Sequence, residues 1–205
     1  MSIAMLERLP VGDFISQAWK ANATAGVSPN PNGTTVQQLV AKYGDYQSYG
    51  HDGIDFGCQM RTLVFAPGAG RVDFAGWFED MPRWVADKYG YLVNDDSGGI
   101  AVLIDHGNGL ASALLHLDQT DLTTGTWVLA GNLCGYSGTT GRSGGSHLHW
   151  SLIVLAEVYT TVMYGRINPL SRIPAGLTIP IAPGNTGGAA DATDTLIAGI
   201  SGLST

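Results

Sequence analysis

Two short motifs that lie far apart in the chain carry side chains that could bind a catalytic metal ion. HDGID occupies positions 51–55, HLH occupies positions 147–149, and His116 lies between them. Imidazole nitrogens and carboxylate oxygens are ligands that Zn²⁺ takes in hydrolytic sites, where three protein ligands leave one position open for water. The chain has only five histidines, so their concentration here predicts a metal site assembled from two distant segments.

The segment HLHWSLIV at positions 147–154 alternates as a half-buried β-strand does. Successive side chains of a strand point to opposite faces of its sheet, so His147, His149 and Ser151 would share one face. The other face would carry the apolar residues Leu148, Trp150 and Leu152. The pattern predicts a strand with one chemical face and one core face.

The HDGID segment is expected to bend as it enters a strand. Residues four apart share a face on a helix, but Gly53, Ile54 and Phe56 make poor helix material. On a straight strand the Cα atoms of His51 and Asp55 would lie roughly 13 Å apart, about the limit for two ligands of one ion. A kink at Gly53 would shorten that distance.

Each motif alone also has a less specific interpretation. A single histidine is more often a core or surface residue than a metal ligand, and HxH occurs often by chance. A closed structural zinc site usually contains cysteines, whereas Cys58 and Cys134 lack the CxxC spacing. These two thiols are expected to stay reduced, or at most to pair. It is the combination of motifs that favours a catalytic site.

The ordered motifs resemble the lysostaphin/LytM-type zinc endopeptidases, which cut peptidoglycan cross-links. The resemblance runs from about Gly50 to Pro169. Besides HxxxD and HLH, it includes the VLIDHGNGL hairpin before His116, the GYSGTTGRSGGSHLHW run and a closing Asn168-Pro169. The motifs are therefore specific as an ordered set.

By this resemblance His51, Asp55 and His149 bind one Zn²⁺ ion, and His116 and His147 form a catalytic pair. One member of the pair takes a proton from water and the other donates to the oxyanion of the tetrahedral intermediate. Which of the two is the general base stays open.

A tyrosine often helps to stabilise the intermediate in this family. Tyr49, next to the first ligand, is the candidate for this substrate-binding role. An aromatic side chain at that position could instead simply line the groove.

The resemblance implies a zinc metalloendopeptidase that hydrolyses peptide cross-links or stem peptides of bacterial peptidoglycan and so lyses the cell wall. A D-Ala to diamino-acid cross-link and a glycine bridge are both compatible with these residues. One alternative is a catalytically silent wall-binding or regulatory module on the same fold, against which the intact His116 and His147 argue. Another is a zinc D,D-carboxypeptidase, but its ExxH element does not occur in this sequence.

The expected fold is mainly β, and the resemblance implies an antiparallel sheet core with an open active-site groove and a few short peripheral helices. The chain has 29 glycines and 13% charged residues, a composition that favours strands and loops. The expected strands are 54–57, 62–66, 70–78, 99–105, 110–117, 126–130 and 147–155. The expected helices are about 13–21, 34–43 and 80–89.

The domain boundaries follow from composition. We expect an N-terminal arm over residues 1–34, a catalytic domain over 35–174, and a flexible tail or linker over 175–205, which is rich in small residues and proline. The segment 77–99 has the character of an insertion between strands. It is expected to form a wall of the substrate groove rather than a mere surface excursion.

His106 is expected to lie outside the site. It precedes Asn108-Gly109, and Asn-Gly between two apolar runs is a strong hairpin signal. A two-residue turn there would place Ala111 opposite His106 and His116 on the other face of the sheet. His106 is therefore predicted to be structural.

The charge and the ends of the chain suggest where the protein acts. A net charge of −7 disfavours binding to nucleic acid, whose phosphates would be repelled. No run of apolar residues predicts a membrane span, and the first residues lack a secretory signal pattern. A wall hydrolase without a leader resembles a bacteriophage lysin, released from the host cytoplasm during lysis or carried on a virion. A mature protein that has lost its leader would look the same. A monomer that binds peptidoglycan peptide is expected.

Overall fold

The structure is a computed structural model and describes residues 6–11, 14–19 and 50–174. These residues form ten strands joined in one sheet, in which every pair is antiparallel. The strands are Phe14–Gln17 (β1), Ile54–Gly57 (β2), Leu63–Phe65 (β3), Gly70–Trp77 (β4), Ile100–Asp105 (β5), Leu110–Gln119 (β6), Trp127–Val128 (β7), Leu133–Ser137 (β8), His147–Val154 (β9) and Arg166–Ile167 (β10). The predicted mainly β, antiparallel fold is confirmed.

The strands follow the order β1-β2-β9-β6-β5-β4-β7. β10 pairs with β9, and β8 joins β3 to β6. Each expected strand is present within a few residues of its predicted ends. The strands β1, β8 and β10 were not predicted; β10 is only two residues long, and such short elements carry almost no periodicity.

The sheet separates a larger and a smaller hydrophobic cluster. Alternate side chains of β9 face one cluster or the other. Leu148, Trp150 and Leu152 are fully buried in the larger cluster, as their spacing predicts. Ile153 lies in the smaller cluster on the opposite face. The face that carries His147, His149 and Ser151 is thus the face of the smaller cluster.

A short helix, α1 (Arg83–Tyr89), covers the smaller cluster. It begins after Pro82 and ends at Gly90, whose φ of 68° is the left-handed conformation that ends many helices. Val85, Ala86 and Tyr89 are its buried residues. The predicted helix over 80–89 is confirmed in its second half, and residues 78–80 form one 3₁₀ turn instead.

The predicted helix over residues 13–21 is wrong, because residues 14–17 form β1. This strand pairs with β2, which places Ile15 opposite Phe56 and buries both side chains. Burial against an existing sheet edge outweighs the weak local helix preference of this segment. The expected helix over 34–43 and the tail over 175–205 lie outside the described residues.

The hairpin that follows His106 has a longer turn than the sequence suggests. Asp105 pairs with Ala111, and the His106 amide donates to the Leu110 carbonyl, so Leu110 and not Ala111 opposes His106. The turn is formed by the three residues 107–109, and all three have positive φ angles. The predicted two-residue turn is therefore wrong by one residue.

Two further expectations concern the cysteines and the possibility of a membrane-spanning segment. Cys58 and Cys134 form no disulfide in the part of the chain that the structure describes. Burial raises the pKa of the Cys134 thiol to about 12, which keeps it protonated. Among the same residues, no helix has the length and apolar character needed to cross a membrane.

Candidate metal centre and active site

The pairing of β2 with β9 brings the two distant motifs together. In this register Asp55 lies directly opposite His149, and Gly57 lies opposite His147. Directly opposed residues of an antiparallel pair have side chains on the same face and within contact distance. His51 approaches the same face from the bend that precedes β2.

Three donor atoms converge at this point. His51 Nε2 lies 3.1 Å from His149 Nδ1, His149 Nδ1 lies 2.9 Å from Asp55 Oδ1, and His51 Nε2 lies 3.2 Å from Asp55 Oδ1. All three residues are buried. Tetrahedral zinc with ligands at about 2.0–2.1 Å would separate its ligands by roughly 3.3 Å. The observed triangle is close to this size.

The outer nitrogen of each imidazole has its own acceptor. His51 Nδ1 donates to the Ala18 carbonyl at 3.1 Å. His149 Nε2 donates to Ser151 Oγ at 2.7 Å, and Ser151 Oγ donates to the Asp52 carbonyl at 3.0 Å. Each ring therefore directs an unprotonated nitrogen inward. Two nitrogen lone pairs and a carboxylate oxygen facing one another form a set of acceptors that a cation would satisfy.

Gly53 lies in the bend before β2, as predicted. The reason for a glycine is close packing more than backbone curvature. A Cβ atom at Gly53 would lie 2.6 Å from His149 Nε2 and 2.6 Å from the Trp150 carbonyl oxygen. The glycine lets the first motif pass directly over the His149 ring.

A β-bulge in β6 directs His116 towards the site. Ile100 pairs with Leu117 and Val102 with Leu114, so two β6 residues, Leu115 and His116, oppose Ala101 alone. His116 has a φ of 63°, which is uncommon for a residue other than glycine. Strict alternation would turn His116 towards the larger hydrophobic cluster. The extra residue turns it to the face of the candidate metal-binding triangle formed by His51, Asp55 and His149 instead.

His116 and His147 lie side by side next to that triangle. Their ring centroids are 4.6 Å apart, and His116 lies 6.1 Å from the His149 ring. His116 Nδ1 donates to the Thr140 carbonyl at 2.9 Å, and His147 Nδ1 donates to the Gly145 carbonyl at 2.8 Å. In both rings Nε2 is thereby left to accept a proton.

The charges of the cluster favour an ionised Asp55 carboxylate and a neutral His116 ring. Burial alone would raise the pKa of Asp55, but His51 and His147 hold it well below its usual value. Burial would lower the pKa of His51, but the Asp55 carboxylate outweighs it and the pKa is raised. Burial, with His147 and His149 nearby, lowers the pKa of His116 to about 3, so this ring is neutral at pH 7.

The remaining candidates are easily placed. Tyr49 lies outside the described residues. His106 is hydrogen-bonded to the Ala69 carbonyl and to Ser112 Oγ. Ser112 Oγ also accepts a hydrogen bond from the indole N–H of the buried Trp150. His106 therefore belongs to the core on the other face and not to the site, as predicted.

Three supporting residues were not identified from the sequence because they act through backbone carbonyls. The Ala18 carbonyl orients His51, the Thr140 carbonyl orients His116 and the Gly145 carbonyl orients His147. A carbonyl is present in every residue, so no residue type reveals it. For Thr140 the signal is Gly99, which packs against it: a Cβ at Gly99 would overlap Thr140.

A polar groove of about 550 Å³ has Gly99 in its lining, and the carbonyl of the preceding Gly98 accepts from the His116 amide. The loop that carries Thr140 also contributes to the groove, whose lining residues are Trp77, Phe78, Glu79, Asp96, Gly99, Gly141 and Arg142. Most of this lining comes from the segment 77–99, which therefore forms a wall of the groove. Arg142 pairs with Asp96 at 3.3 Å across it.

Comparison with known proteins gives concordant results. The profile of peptidase family M23 matches residues 49–160. Over 124 residues the chain is 36% identical to the peptidoglycan DD-endopeptidase ShyA of Vibrio cholerae, covering 60% of this chain and 25% of ShyA. It is 31% identical over 104 residues to lysostaphin of Staphylococcus simulans, covering 51% of this chain and 18% of lysostaphin.

The fold is also shared with solved structures. A zinc-containing peptidase from Vibrio cholerae superposes with a TM-score of 0.53 at 19% identity, covering 83% of this chain and 41% of that one. The chain thus spans a quarter or less of the curated relatives' length and less than half of this structure.

Proposed function

The chain belongs to peptidase family M23, and from this membership we propose that it is a zinc-dependent endopeptidase that hydrolyses peptide bonds of bacterial peptidoglycan. One observation carries the proposal: the donor atoms of His51, Asp55 and His149 lie 2.9–3.2 Å apart, beside a pair of histidines with unprotonated Nε2 atoms. The names of ShyA and of the zinc-containing relative support the substrate and the metal.

His51, Asp55 and His149 would hold one Zn²⁺ ion. The hydrogen bonds to Ala18 and Ser151 present an unprotonated nitrogen of each imidazole to it. Three protein ligands are the number found in catalytic zinc sites, where a further position is left for water. Bound zinc would supply a Lewis acid for the scissile carbonyl and lower the pKa of water to about 7.

His116 and His147 would transfer the protons. A neutral imidazole with its Nδ1 proton bound to a carbonyl can accept a proton at Nε2 and later return it to the leaving amine. The second imidazole of the pair, once protonated, would donate to the oxyanion of the tetrahedral intermediate. Since both rings are held in the same tautomer, their hydrogen bonds alone do not divide the two roles between them.

The groove beside His116 would bind the peptide. Gly99 and Gly141 let the two loops that form the groove pack closely, because a Cβ at either would overlap the other loop, and Trp77, 49% exposed, offers a flat apolar wall. Glu79, Asp96 and Arg142 give the groove both charges. Such a lining suits a short peptide with charged groups, which is the character of a stem peptide.

Digestion of purified cell walls tests this function. Walls with direct D-Ala to diamino-acid cross-links and walls with glycine bridges would each be incubated with the zinc-loaded chain, and the fragments analysed by mass spectrometry. We expect new amino and carboxyl ends at one peptide bond, and none after chelation of the metal. Wall binding without any new ends would show instead a catalytically silent module.

The place of action belongs to the same proposal. We propose that the chain acts on the bacterial wall, since its relative ShyA is named for cleaving peptidoglycan, and that it lyses cells as a phage-type lysin does. Protein added from outside should then lyse cells whose outer barrier has been made permeable, with turbidity as the readout. Intact turbidity despite cleavage of purified walls would refute the lysin role alone.

A further inference from the structure

A buried arginine lies behind the metal-binding triangle and takes no part in the mechanism above. Arg166, on β10, is 7% exposed. Its Nη1 donates to the Tyr164 carbonyl at 3.0 Å, and its guanidinium lies 4.5 Å from the centre of the Tyr91 ring. A buried cation needs a counterion. Asp52 provides it, with Oδ2 3.1 Å from Arg166 Nε.

Asp52 contacts the His149 imidazole by two routes. Its Oδ1 lies 3.7 Å from His149 Nε2. Its backbone carbonyl accepts from Ser151 Oγ, which in turn accepts the proton of His149 Nε2. The hydroxyl proton of Ser151 is thus committed to Asp52, and the Ser151 lone pair is committed to His149. This arrangement selects the tautomer that leaves His149 Nδ1 unprotonated.

The two ends of the Asp52–Arg166 pair differ in exposure. The Asp52 side chain is 41% exposed, whereas that of Arg166 is 4% exposed. Asp52 could therefore be hydrated without Arg166, so the arginine is not required to neutralise it. What Arg166 supplies is a fixed positive charge 3.1 Å from Asp52 Oδ2, an ion pair without hydrogen-bond geometry at Nε, which holds the Asp52 carboxylate by charge.

We propose that Arg166 is a positioning residue for the metal centre: it holds Asp52, and Asp52 with Ser151 holds the His149 imidazole with Nδ1 directed at the zinc position. The inference rests on the proposed zinc site. Arg166 lies beyond the segment 49–160 that matches the family profile, so family membership does not imply this role. Removing a group that orients a metal ligand typically weakens metal affinity by about 10–100-fold.

Zinc affinity measured by competition with a chromogenic chelator tests the proposal without any activity assay. Arg166→Met removes the buried charge, keeps an apolar stem and leaves Asp52 to water, so we expect it to fold. Zinc affinity should fall by about 10–100-fold. The absorption spectrum of the cobalt-substituted variant should also change, because the geometry at His149 is altered. If Arg166→Met does not fold, Ser151→Ala is the second variant: it removes the hydroxyl that accepts from His149 Nε2, and its zinc affinity should fall as well.

A double variant separates positioning from stability. Asp52→Asn alone leaves the guanidinium without its counterion, so thermal stability of the metal-free protein should drop. In Asp52→Asn/Arg166→Met the stability should return while zinc affinity stays low. If the ion pair only stabilised the fold, the double variant would regain both its thermal stability and its zinc affinity. Arg83→Met/Asp87→Asn removes an exposed pair on α1 and is the matched control, expected to keep zinc affinity.

The outcomes distinguish this inference from the proposed function. Wild-type zinc affinity in both Arg166→Met and the double variant would overturn the positioning role and leave the endopeptidase intact. Absence of zinc binding by the wild-type chain would overturn the zinc site itself, and the positioning role with it.

Discussion

Asp55 and His149 lie directly opposite each other on β2 and β9, with Asp55 Oδ1 2.9 Å from His149 Nδ1. This cross-strand pair joins the two motifs of the sequence, and one ladder of backbone hydrogen bonds fixes both proposed ligands. Because the side-chain period of a strand is two, a slip of one residue would turn His149 to the core face. Ile54, opposite Trp150 in the core, opposes such a slip.

Replacing His116 tests the proton-transfer role. In His116→Ala the three proposed zinc ligands are untouched, so zinc content should equal that of the wild type. Turnover should fall by roughly a hundredfold or more, the usual scale of general acid–base catalysis. Metal analysis gives the zinc content, and initial rates on a wall peptide give the turnover. Full activity in this variant would contradict the assignment.

Replacing Gly53 tests the close approach of the first motif to His149. The new Cβ of Gly53→Ala would lie 2.6 Å from both His149 Nε2 and the Trp150 carbonyl oxygen, so the ring must move away from Ser151. We expect zinc affinity to fall at least about tenfold, measured by chelator competition.

Gly107→Ala is the matched control for Gly53→Ala. No atom lies within 4 Å of its new Cβ, but its φ of 75° strains an alanine by roughly 1–2 kcal/mol. It should lower the melting temperature and leave zinc affinity unchanged. Equal zinc affinity in wild type and Gly53→Ala would argue against the packing described.

Replacing Trp77 tests the groove. The side chain is half exposed, so Trp77→Ala should fold and bind zinc normally. Loss of a wall that contacts bound peptide should raise KM several-fold with little change in kcat. Trp127→Ala is the control, because Trp127 is 74% exposed on β7, away from the groove. An unchanged KM in Trp77→Ala would place the peptide elsewhere.

A salt-bridge network under α1 gives a pH dependence that is independent of the site. Lys88 Nζ lies 2.6 Å from carboxylate oxygens of both Asp73 and Asp105. Burial would raise the pKa of Asp105, but Lys88 and the Gly107 amide lower it. Burial would lower the pKa of Lys88, but both carboxylates raise it.

The lowered pKa of Asp105 and the raised pKa of Lys88 determine how the stability of the fold changes with pH. A carboxyl with a lowered folded-state pKa contributes stability that is present above its unfolded pKa of about 3.9 and lost as the pH falls through the folded value. A lysine with a raised pKa contributes stability that is present below about 10.4 and lost as the pH rises through its folded value. The network should therefore stabilise the fold between about pH 4 and pH 10.

Asp105→Asn tests this window. At pH 7 it should lower the free energy of unfolding by about 1 kcal/mol, a value reduced for partial solvent exposure. That corresponds to a fall of roughly 2–4 °C in melting temperature. The difference from wild type should shrink below about pH 4. The same difference at pH 3 and pH 7 would show that the pair acts through packing instead of charge.

The sequence predicts the sheet and the convergence of its motifs for one physical reason. Alternation along HLHWSLIV predicts both the strand and its two faces. The spacing in HDGID predicts that His51 and Asp55 can lie next to His149. β1 was not predictable, because residues 14–17 become a strand only by pairing with β2. A strand that depends on a partner distant in sequence leaves little local signal.

The placement of His116 shows how local rules can give a correct result for the wrong reason. The predicted turn after His106 is one residue too short, which alone would put His116 on the face of His106. The bulge at His116, with its φ of 63°, reverses the face again. Neither feature is visible in the hydrophobic pattern, and each depends on pairing between strands.

Metal content measured together with wall cleavage tests the central claim most directly. The wild-type chain, purified and exposed to zinc, should carry one ion per molecule and release peptide ends from purified walls. His149→Ala should lose the ion and the cleavage together, since its Nδ1 is one of three donors to the site. Wall cleavage by the wild type after complete removal of metal, or by zinc-free His149→Ala, would contradict the account.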